Sequence, residues 1–407
     1  MISVSKVALG AALALGGTSL IAVGPAFAQP QTAELSKAER ASLLAFQTAL
    51  ESRNYPAATT AMNDAQSGAR SGYARYLASA LQLRLGIETG NIGLQTTAIE
   101  AMIGSGAAPA SEIPQLYRNQ AALFQNAGKL DKAEAVLTRY IDLAPSDAEA
   151  MLALAQVKND RKKPQEAVAL LDRAIDARKA SGQPVPESWY KRGIGLALQH
   201  QMVPQALRLS RALVAAYPTA ANWRDAALLQ RDAVKADPEA ALDAWRLQRA
   251  ANALAGERDY FQFAQSLSNL GLAGESKSVL DEGVSAKMVD AGKATFKELI
   301  VSSGKRATAD RAGLSARQAK ALAAATGAEA LKAGDALLGS GDYAKAATLY
   351  RAALQKGGID PNIANTRLGI ALARAGQAAE AEAAFRAVTG PRAELANLWL
   401  AWLARRA

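Results

Sequence analysis

Small and bulky apolar residues recur along the chain in a fixed order, with polar residues between them. In three stretches a glycine is followed five residues later by alanine, and a large apolar or aromatic residue stands four positions beyond the alanine. Apolar positions that return after three or four residues are typical of an amphipathic α-helix, so each stretch predicts a turn followed by a helix with one buried face. The three triplets are Gly128/Ala133/Leu137, Gly341/Ala346/Tyr350 and Gly376/Ala381/Phe385.

A second amphipathic segment lies before these glycines, as in RLGIALARAG with Leu368, Gly369 and Leu372. Each repeat is therefore predicted to be a pair of helices. A small residue in each helix allows its partner to approach closely, and the larger residues fill the grooves. The glycine ends the first helix because it adopts the left-handed conformation at little cost. Proline recurs where the second helix should begin, a position that does not need its N–H; these prolines are Pro56, Pro164, Pro204 and Pro238.

The pattern resembles the tetratricopeptide repeat, a 34-residue unit of two antiparallel helices in which W-x2-L-G-x2-Y marks the first helix and A-x3-F the second. The small contact residues of two successive repeats, Ala133 and Ala167, are 34 residues apart. The third repeat keeps Gly193 and Ala206 but departs from the pattern at Ile194 and Ser210. The resemblance extends over about residues 115–215 and 330–390. The repeat that begins near Pro114 matches through Tyr117, Gln120, Ala121, Phe124, Gly128, Ala133, Leu137 and Pro145.

When the repeat length of about 35 residues is counted along the chain, it identifies one small residue per repeat at which the two paired helices should touch. This register accounts for GLAGESKSVLDEG (271–283), in which Gly271, Lys277 and Ser278 have the spacing of a phosphate-binding loop. Such a loop follows a β-strand, whereas the segment before Gly271 has a helical pattern. Ser276 is therefore interpreted as a helix contact, and no nucleotide site is expected. The predicted contact positions are Ala58, Ala98, Ala133, Ala167, Ala206, Ala240, Ser276, Ala309, Ala346 and Ala381.

The resemblance implies an all-α fold, a tetratricopeptide-type α-solenoid of antiparallel helix pairs with a C-terminal capping helix. Contacts are expected between neighbouring repeats only. The predicted segments are 1–28 (export signal), 29–110 (degenerate helical repeats), 111–220 (the best-formed repeats), 221–325 (degenerate repeats), 326–391 (two repeats) and 392–407 (capping helix).

The last segment has one apolar stripe, formed by Leu395, Leu398, Trp399 and Trp402. A helix that covers the exposed end of the last repeat is the usual arrangement in a solenoid. The two tryptophans, with the additional apolar Leu400 and Leu403, also fit a helix that docks on a partner or a membrane surface.

The first 28 residues have the features of an export signal. Lys6 precedes an apolar run over residues 7–23, and Ala26-Phe27-Ala28 is a small-x-small site, so cleavage is expected after Ala28. Glycines and Pro25 interrupt the run, which favours cleavage over a retained anchor. No twin-arginine pair precedes the run, which indicates the general secretion route and a periplasmic protein. The chain has no cysteine, which excludes a lipoprotein anchor, disulfides and thiolate metal sites.

The net charge of +10 is spread thinly, and its densest local excess is residues 287–320, with eight basic groups against three acids. This stretch is either a solvated helix face or a surface for anionic lipid, polysaccharide or an acidic partner. Basic and aromatic residues do not interleave, so nucleic acid is not expected as a partner.

Catalytic chemistry has few candidates in this sequence. The single histidine, His200, lies at a predicted turn, where it cannot form a histidine metal cluster. The neighbouring acids Asp281/Glu282 and Glu380/Glu382 lie among lysines and arginines and are interpreted as solvated helix faces. No catalytic residue, metal ligand or cofactor is therefore predicted.

Tetratricopeptide arrays generally bind peptides or protein surfaces along a groove lined by the first helices, and the resemblance implies the same here. The family's carboxylate clamp is matched at two arginines but not at Ala122, Ala153 and Ser188, which argues against clamping. The expected groove is polar and basic and suits an acidic or amide-rich extended segment. Its residues are Arg118, Asn119, Gln125, Gln156, Lys191 and Arg192.

Three functions follow as hypotheses. The first is a non-catalytic periplasmic scaffold or adaptor for envelope proteins. The second is a periplasmic subunit of a polysaccharide synthesis or export system, in which the groove and the 287–320 stretch would meet polymer. The third is a glycan-acting enzyme that uses helix-borne carboxylates, which would need two of them about 5 to 9.5 Å apart in a cleft.

Overall fold

The computed structural model describes residues 35–406, and the expected export signal lies outside that range. The all-α prediction is confirmed: the described residues form 21 α-helices and one 3-10 helix, without a β-strand among them. None of these helices is long and apolar enough to cross a membrane. Internal contacts divide the described residues into two compact units, residues 35–136 and 137–406. The division into six segments stays a prediction.

The first unit contains two helix pairs and a further helix, around a core that includes Phe46, Leu50, Leu85 and Ile99. Ala58 and Ala98 are fully buried. Both predicted contact positions are thus confirmed, although their repeats match the motif poorly. The helices are α1 (Lys37–Glu51), α2 (Tyr55–Gly68), α3 (Gly72–Glu88), α4 (Ile92–Gly104), α5 (Ile113–Asn126) and α6 (Leu130–Leu143), which crosses into the second unit.

One carboxylate joins α1 to the start of α3. Glu39 accepts the backbone N–H of Ser36 at 2.9 Å, of Arg70 at 2.9 Å and of Ser71 at 3.0 Å. The Ser36 hydroxyl accepts the Glu39 N–H in return, which completes a capping box. Backbone hydrogen bonds from Ser71, Ser36 and Arg70 stabilise the charged form and lower the pKa of Glu39 to about 2.

The second unit begins with the most regular helix pairs. Helix α7 packs on α8, α8 on α9 and α9 on α10, and Ala167 and Ala206 are fully buried at the predicted contacts. Gly193 shows why a small residue is needed, because a Cβ there would lie 2.8 Å from Leu209 Cδ1. The four helices are α7 (Ala148–Asp160), α8 (Pro164–Ala180), α9 (Glu187–Gln199) and α10 (Val203–Ala216).

The next six helices follow the repeat less closely. Ala240 and Ser276 are buried as predicted. The prediction for Ala309 is wrong, because it is exposed on a continuous 19-residue helix where a turn was expected. Ser303 of that helix is buried instead, and its hydroxyl lies 3.0 Å from that of Ser276. The helices are α11 (Ala220–Ala233), α12 (Pro238–Ala250), α13 (Gly256–Asn269), α14 (Ala273–Ser285), α15 (Ala294–Ala312) and α16 (Leu314–Ala323).

The last helices fold back onto earlier ones in the same unit. Helix α14 contacts α17 directly, α12 contacts α19, and α10 and α12 both contact α21. The expectation of contacts between neighbouring repeats only is therefore wrong here. The helices are α17 (Ala328–Ser340), α18 (Tyr343–Lys356), α19 (Pro361–Arg374), α20 (Ala378–Arg386), the 3-10 helix Gly390–Arg392 and α21 (Ala393–Leu403).

Helix α21 buries the predicted stripe. Trp399 is fully buried and Trp402 is 4 % exposed, and the Trp402 indole N–H donates to the carbonyl of Ala250 at 3.1 Å. Phe385 of α20 stacks on Trp399, with ring centroids 5.8 Å apart. The helix thus covers the last repeat, as the capping prediction requires, and also attaches it to α10 and α12. The tryptophans that suggested docking on a membrane or a partner are inside the protein.

Candidate functional site: a polar helix face and a charged cavity

The six residues predicted to line a groove all lie on first helices, and none of them is fully buried. In the first unit, Gln115 of α5 links two of them: it accepts from Arg118 Nη2 at 3.3 Å and donates to Asn119 Oδ1 at 2.6 Å. Gln125 lies half-buried near the end of the same helix. This part of the predicted groove is therefore a hydrogen-bonded polar face.

The other three residues lie on α7 and α9 of the second unit. Arg192 donates to Gln156 Oε1, and Gln156 Nε2 donates to Asp160 Oδ1 at 2.6 Å, so adjacent first helices share one polar network. Lys191 Nζ lies 2.8 Å from Glu187 Oε1. The hydrogen bond from Lys191, followed by one from Asn222, lowers the pKa of Glu187. The structure brings Gln156 and Arg192 together, and Lys191 lies on the exposed side of α9.

The last helices, by folding back onto earlier ones, enclose a cavity of about 810 Å³ within the second unit. Its walls come from α12, α14 to α19 and α21. No part of the repeat pattern predicts it, because its opposite walls come from helices that are distant in sequence.

Beside this cavity lies a cluster of buried charges, which joins α12 to α19 and to the 3-10 helix Gly390–Arg392. Asp243 is fully buried and accepts from Arg246 Nη1 at 2.8 Å, from Arg392 Nη1 at 3.0 Å and from Arg367 Nε at 3.4 Å. Burial opposes its ionisation, but Arg367, Arg246 and Arg392 outweigh burial and hold the pKa of Asp243 below its usual range. The carboxylate therefore stays charged and holds three elements together.

Two further carboxylates of the cluster line the cavity. Glu275 accepts from Arg246 Nη2 at 2.6 Å, and Asp335 accepts from Arg367 Nη1 and from the Tyr350 hydroxyl, each at 2.7 Å. Burial raises the pKa of Asp335 despite the attraction of Arg367. Each carboxylate is thus engaged by an arginine, as expected of a structural ion cluster.

The cavity rim has an excess of positive charge. Three of its cations are in ion pairs, Arg249 with Glu282 at 2.7 Å, Arg317 with Asp310 at 2.8 Å, and Lys277 with Asp281.

Three other rim cations have no acidic partner among residues 35–406. They are Arg311 of α15, Lys332 of α17 and Arg374 of α19, and all three are exposed. Arg374 donates to the Tyr343 hydroxyl at 3.1 Å and lies over that ring. The rim therefore offers three charges that no acid of residues 35–406 neutralises.

The segment that resembles a phosphate-binding loop forms part of this cavity wall. Its structure is the one the repeat register predicted: α13 precedes it, and Gly271 makes the turn with φ of 75°. Ser276 is buried and donates to the carbonyl of Ala264 at 2.9 Å. Ser278 accepts from Arg249 at 2.8 Å. The spacing of glycine, lysine and serine is thus a product of helix packing.

The residues considered for catalysis have other surroundings. His200 is the C-cap of α9, and its buried Nε2 has no hydrogen-bond partner among the described residues. Asp281 and Glu282 pair with Lys277 and Arg249, and Glu380 and Glu382 pair with Arg351 and Arg386. Within the described residues, no group of three or more histidines and acids is placed to hold a metal ion.

Sequence reasoning missed the buried cluster, although two signals were present. Asp243 stands three residues after Ala240, and the other repeats have Leu170, Leu209, Val279 and Leu349 three residues after their contact position. A charged residue at a position that other repeats keep apolar indicates a buried partner. Asp335 gives a similar signal, because isoleucine follows the equivalent glycines at 193 and 369.

A model of the tetratricopeptide repeat family matches residues 118–184 and 331–396, about a third of the chain. These matches overlap the two regions where the motif is clearest. Both matched regions are therefore tetratricopeptide repeats. Such repeats are generally interaction modules without catalytic activity.

The search of the curated proteins found no match. Among solved structures, the chain is similar to a tetratricopeptide repeat protein from Parabacteroides merdae, with 10 % identity and a TM-score of 0.34 over 83 % of this chain and 100 % of that one. It is also similar to the complex of the TPR2AB domain of yeast Sti1 with pHSP90, with 13 % identity and a TM-score of 0.27 over 73 % and 96 % of the two chains. A third is Naa15/Naa10 bound to HypK-THB, with 15 % identity and a TM-score of 0.29 over 88 % and 70 %. These scores are too low to add to the assignment.

Proposed function

We propose that the protein is a non-catalytic scaffold or adaptor in the periplasm, which binds segments of envelope proteins on the polar face of its first helices. The observation that carries this proposal is the network of Gln156 and Arg192 across α7 and α9, with exposed Lys191 beside it. Amide and guanidinium groups on adjacent helices can hydrogen-bond an extended chain that lies across them.

Support for the location comes from residues 1–28, whose basic start, apolar run and small-x-small site fit export through the general secretion route. We expect the mature protein to begin at Gln29 and to be released by osmotic shock without detergent. Amino-terminal sequencing of the released protein tests this, and intact Met1 on membrane-bound protein would contradict it.

The binding face is tested by crosslinking in cells, followed by mass spectrometry, with the native chain and a Lys191→Glu/Arg192→Glu variant. Exposed charges act mainly on the rate of encounter, so we expect slower association and a weaker salt dependence for any partner recovered. A Lys235→Glu/Arg258→Glu variant makes the same change in net charge elsewhere and should bind normally. A partner that responds equally to both variants would place the interface elsewhere.

A subunit of a polysaccharide synthesis or export system is the second candidate. It is favoured by exposed basic side chains in the 287–320 stretch, of which Lys297, Lys305 and Lys320 have no acidic partner among the described residues. Anionic glycan that co-purifies in place of protein would support it. A glycan-acting enzyme has less support, since the carboxylates of the cavity are bound to arginines.

A further inference from the structure

We propose that the cavity of the second unit binds an acidic segment of a partner protein, with Arg311, Lys332 and Arg374 as the residues that contact its carboxylates. This inference rests on the proposed function of binding proteins and adds a second site to it. The site is separate from the first-helix face of α7 and α9, because it lies where α17 to α21 return to α12 to α16.

Charge complementarity favours an anionic ligand. The carboxylates on the floor are already bound by Arg246 and Arg367, so they cannot attract a cation without losing a buried partner. The three unpaired cations lie on three different helices around one opening. An anionic ligand there meets positive charge from several directions, in a concavity that screens it from solvent.

The other residues that line the cavity indicate which class of anionic ligand fits it. Aliphatic side chains, including Leu242, Leu314, Leu338 and Ile370, lie between the charged groups. Asparagine and glutamine are absent from the lining, and Tyr343 is the one aromatic residue of the wall that is not fully buried. A sugar polymer is held by amide side chains and flat aromatic faces, whereas acidic and aliphatic side chains of a polypeptide match arginine, lysine and leucine. A volume of about 810 Å³ holds a few residues of an extended chain.

The first test is direct binding to the full purified chain. The probe is a fluorescein-labelled peptide of five Glu-Leu repeats, followed by anisotropy, and five Gln-Leu repeats serve as the neutral control. We expect the acidic peptide alone to bind, with an affinity that falls as salt rises. Absence of binding at low salt, or equal binding of the neutral peptide, would overturn the proposal. The polar face can still bind partners in that case, so the proposed function is judged separately.

The second test locates the site by charge reversal. The variant Arg311→Glu/Lys332→Glu/Arg374→Glu should weaken peptide binding about tenfold or more, since three attractive contacts become repulsive. The control Lys297→Glu/Lys305→Glu/Lys320→Glu makes the same charge change at exposed residues, two on α15 and one on α16, none of which lines the cavity. It should change the affinity by less than about threefold. Equal losses of affinity in both variants would mean that the peptide is attracted to the basic stretch in general. That result would overturn the proposed site.

The third test uses the absence of cysteine from the chain. Ser340 is exposed at the cavity, and Ser181 is exposed at the end of α8. A benzophenone attached to Ser340→Cys should crosslink the acidic peptide, and one attached to Ser181→Cys should not. Crosslinking from position 181 alone would contradict the proposal. An oligomer of polyuronate that displaces the peptide at equal concentration of carboxylates would show that the site selects anionic glycan instead.

Discussion

The regular helix pairs α7 to α10 and the folded-back helices α12 to α21 use the same unit of structure in different ways. In the regular pairs, buried alanine and glycine allow close approach, and leucines fill the grooves, as Gly193 against Leu209 shows. Salt bridges there lie near the surface, such as Arg208 with Asp172. In the folded-back helices, Asp243 and three arginines are almost fully buried. Residues that recur in every repeat thus build the stack of helix pairs. The folding of the last helices back onto earlier ones depends on residues that do not recur.

The largest effect should come from the tryptophans of α21. Trp399→Ala and Trp402→Ala should each cost about 3–5 kcal/mol, because each removes a buried aromatic side chain. Denaturant titration measures the loss, and hydrogen exchange locates it. We expect Trp402→Ala to increase exchange in α10 and α12 as well as in α21. Trp189→Ala, in the regular pairs, should affect only neighbouring helices. If Trp402→Ala increased hydrogen exchange in α21 alone, the attachment of α21 to α10 and α12 would be weak.

Removal of the central carboxylate should have a similar or slightly smaller effect. Asp243→Ala leaves Arg246, Arg367 and Arg392 buried without their shared partner, which should cost about 3–5 kcal/mol. The matched change in the regular pairs is Asp172→Ala, which removes a partly exposed ion pair and should cost about 0–1 kcal/mol. Denaturant titration of the full chain compares them. Equal costs would mean that the buried cluster is no more important than a surface pair.

Glycine substitutions should separate close packing from helix propensity. A Cβ at Gly369 would lie 2.5 Å from Phe385 Cε1, so Gly369→Ala should destabilise by about 1–3 kcal/mol. Gly195 of α9 has open space around it, and Gly195→Ala should stabilise by about 0.5–1 kcal/mol. Thermal unfolding of the two variants gives the signs. A stabilising Gly369→Ala would show that the repeat contact is looser than described.

The smallest effect concerns the first unit, where one carboxylate is held by backbone N–H groups. The folded pKa of Glu39 is about 2, below the ordinary 4.5, so its stabilising contribution is present above about pH 4.5 and is lost as the pH falls toward 2. Glu39→Gln should remove this pH dependence from α1 and α3. Hydrogen exchange of both helices between pH 2 and 6, corrected for intrinsic rates, measures it. Glu51→Gln on the same helix is the control, and an unchanged acid response in Glu39→Gln would refute the assignment.

Sequence predicted the features that repeat. The turn glycines at 128, 271, 341 and 376 all have positive φ, and nine of the ten predicted contact residues are buried. These residues follow from local geometry, which each repeat imposes again. The prediction for Ala309 was wrong because the continuous helix α15 lies where the repeat length predicted a turn.

The cavity and the return of the last helices could not be predicted in the same way. They depend on pairs such as Asp243 with Arg367 and Trp402 with Ala250, which are separated by 124 and 152 residues. A single sequence marks one member of each pair at most, through a charge where a leucine is usual. It does not say which distant residue is the partner. The polar face of α7 and α9 lies on the predicted helices, and whether it binds a partner stays a prediction.

The buried cluster also sets an order of events during synthesis. Asp243 is made 124 residues before Arg367 and 149 residues before Arg392. At about 5–20 residues per second, the interval to Arg392 is roughly 7–30 s. During that time α12 carries a carboxylate and apolar side chains that later helices must cover, and such long-range contacts form slowly. The regular pairs can fold as they emerge, whereas α12 to α16 must wait for the end of the chain, so a chain that stops before residue 392 leaves this half of the unit unfinished.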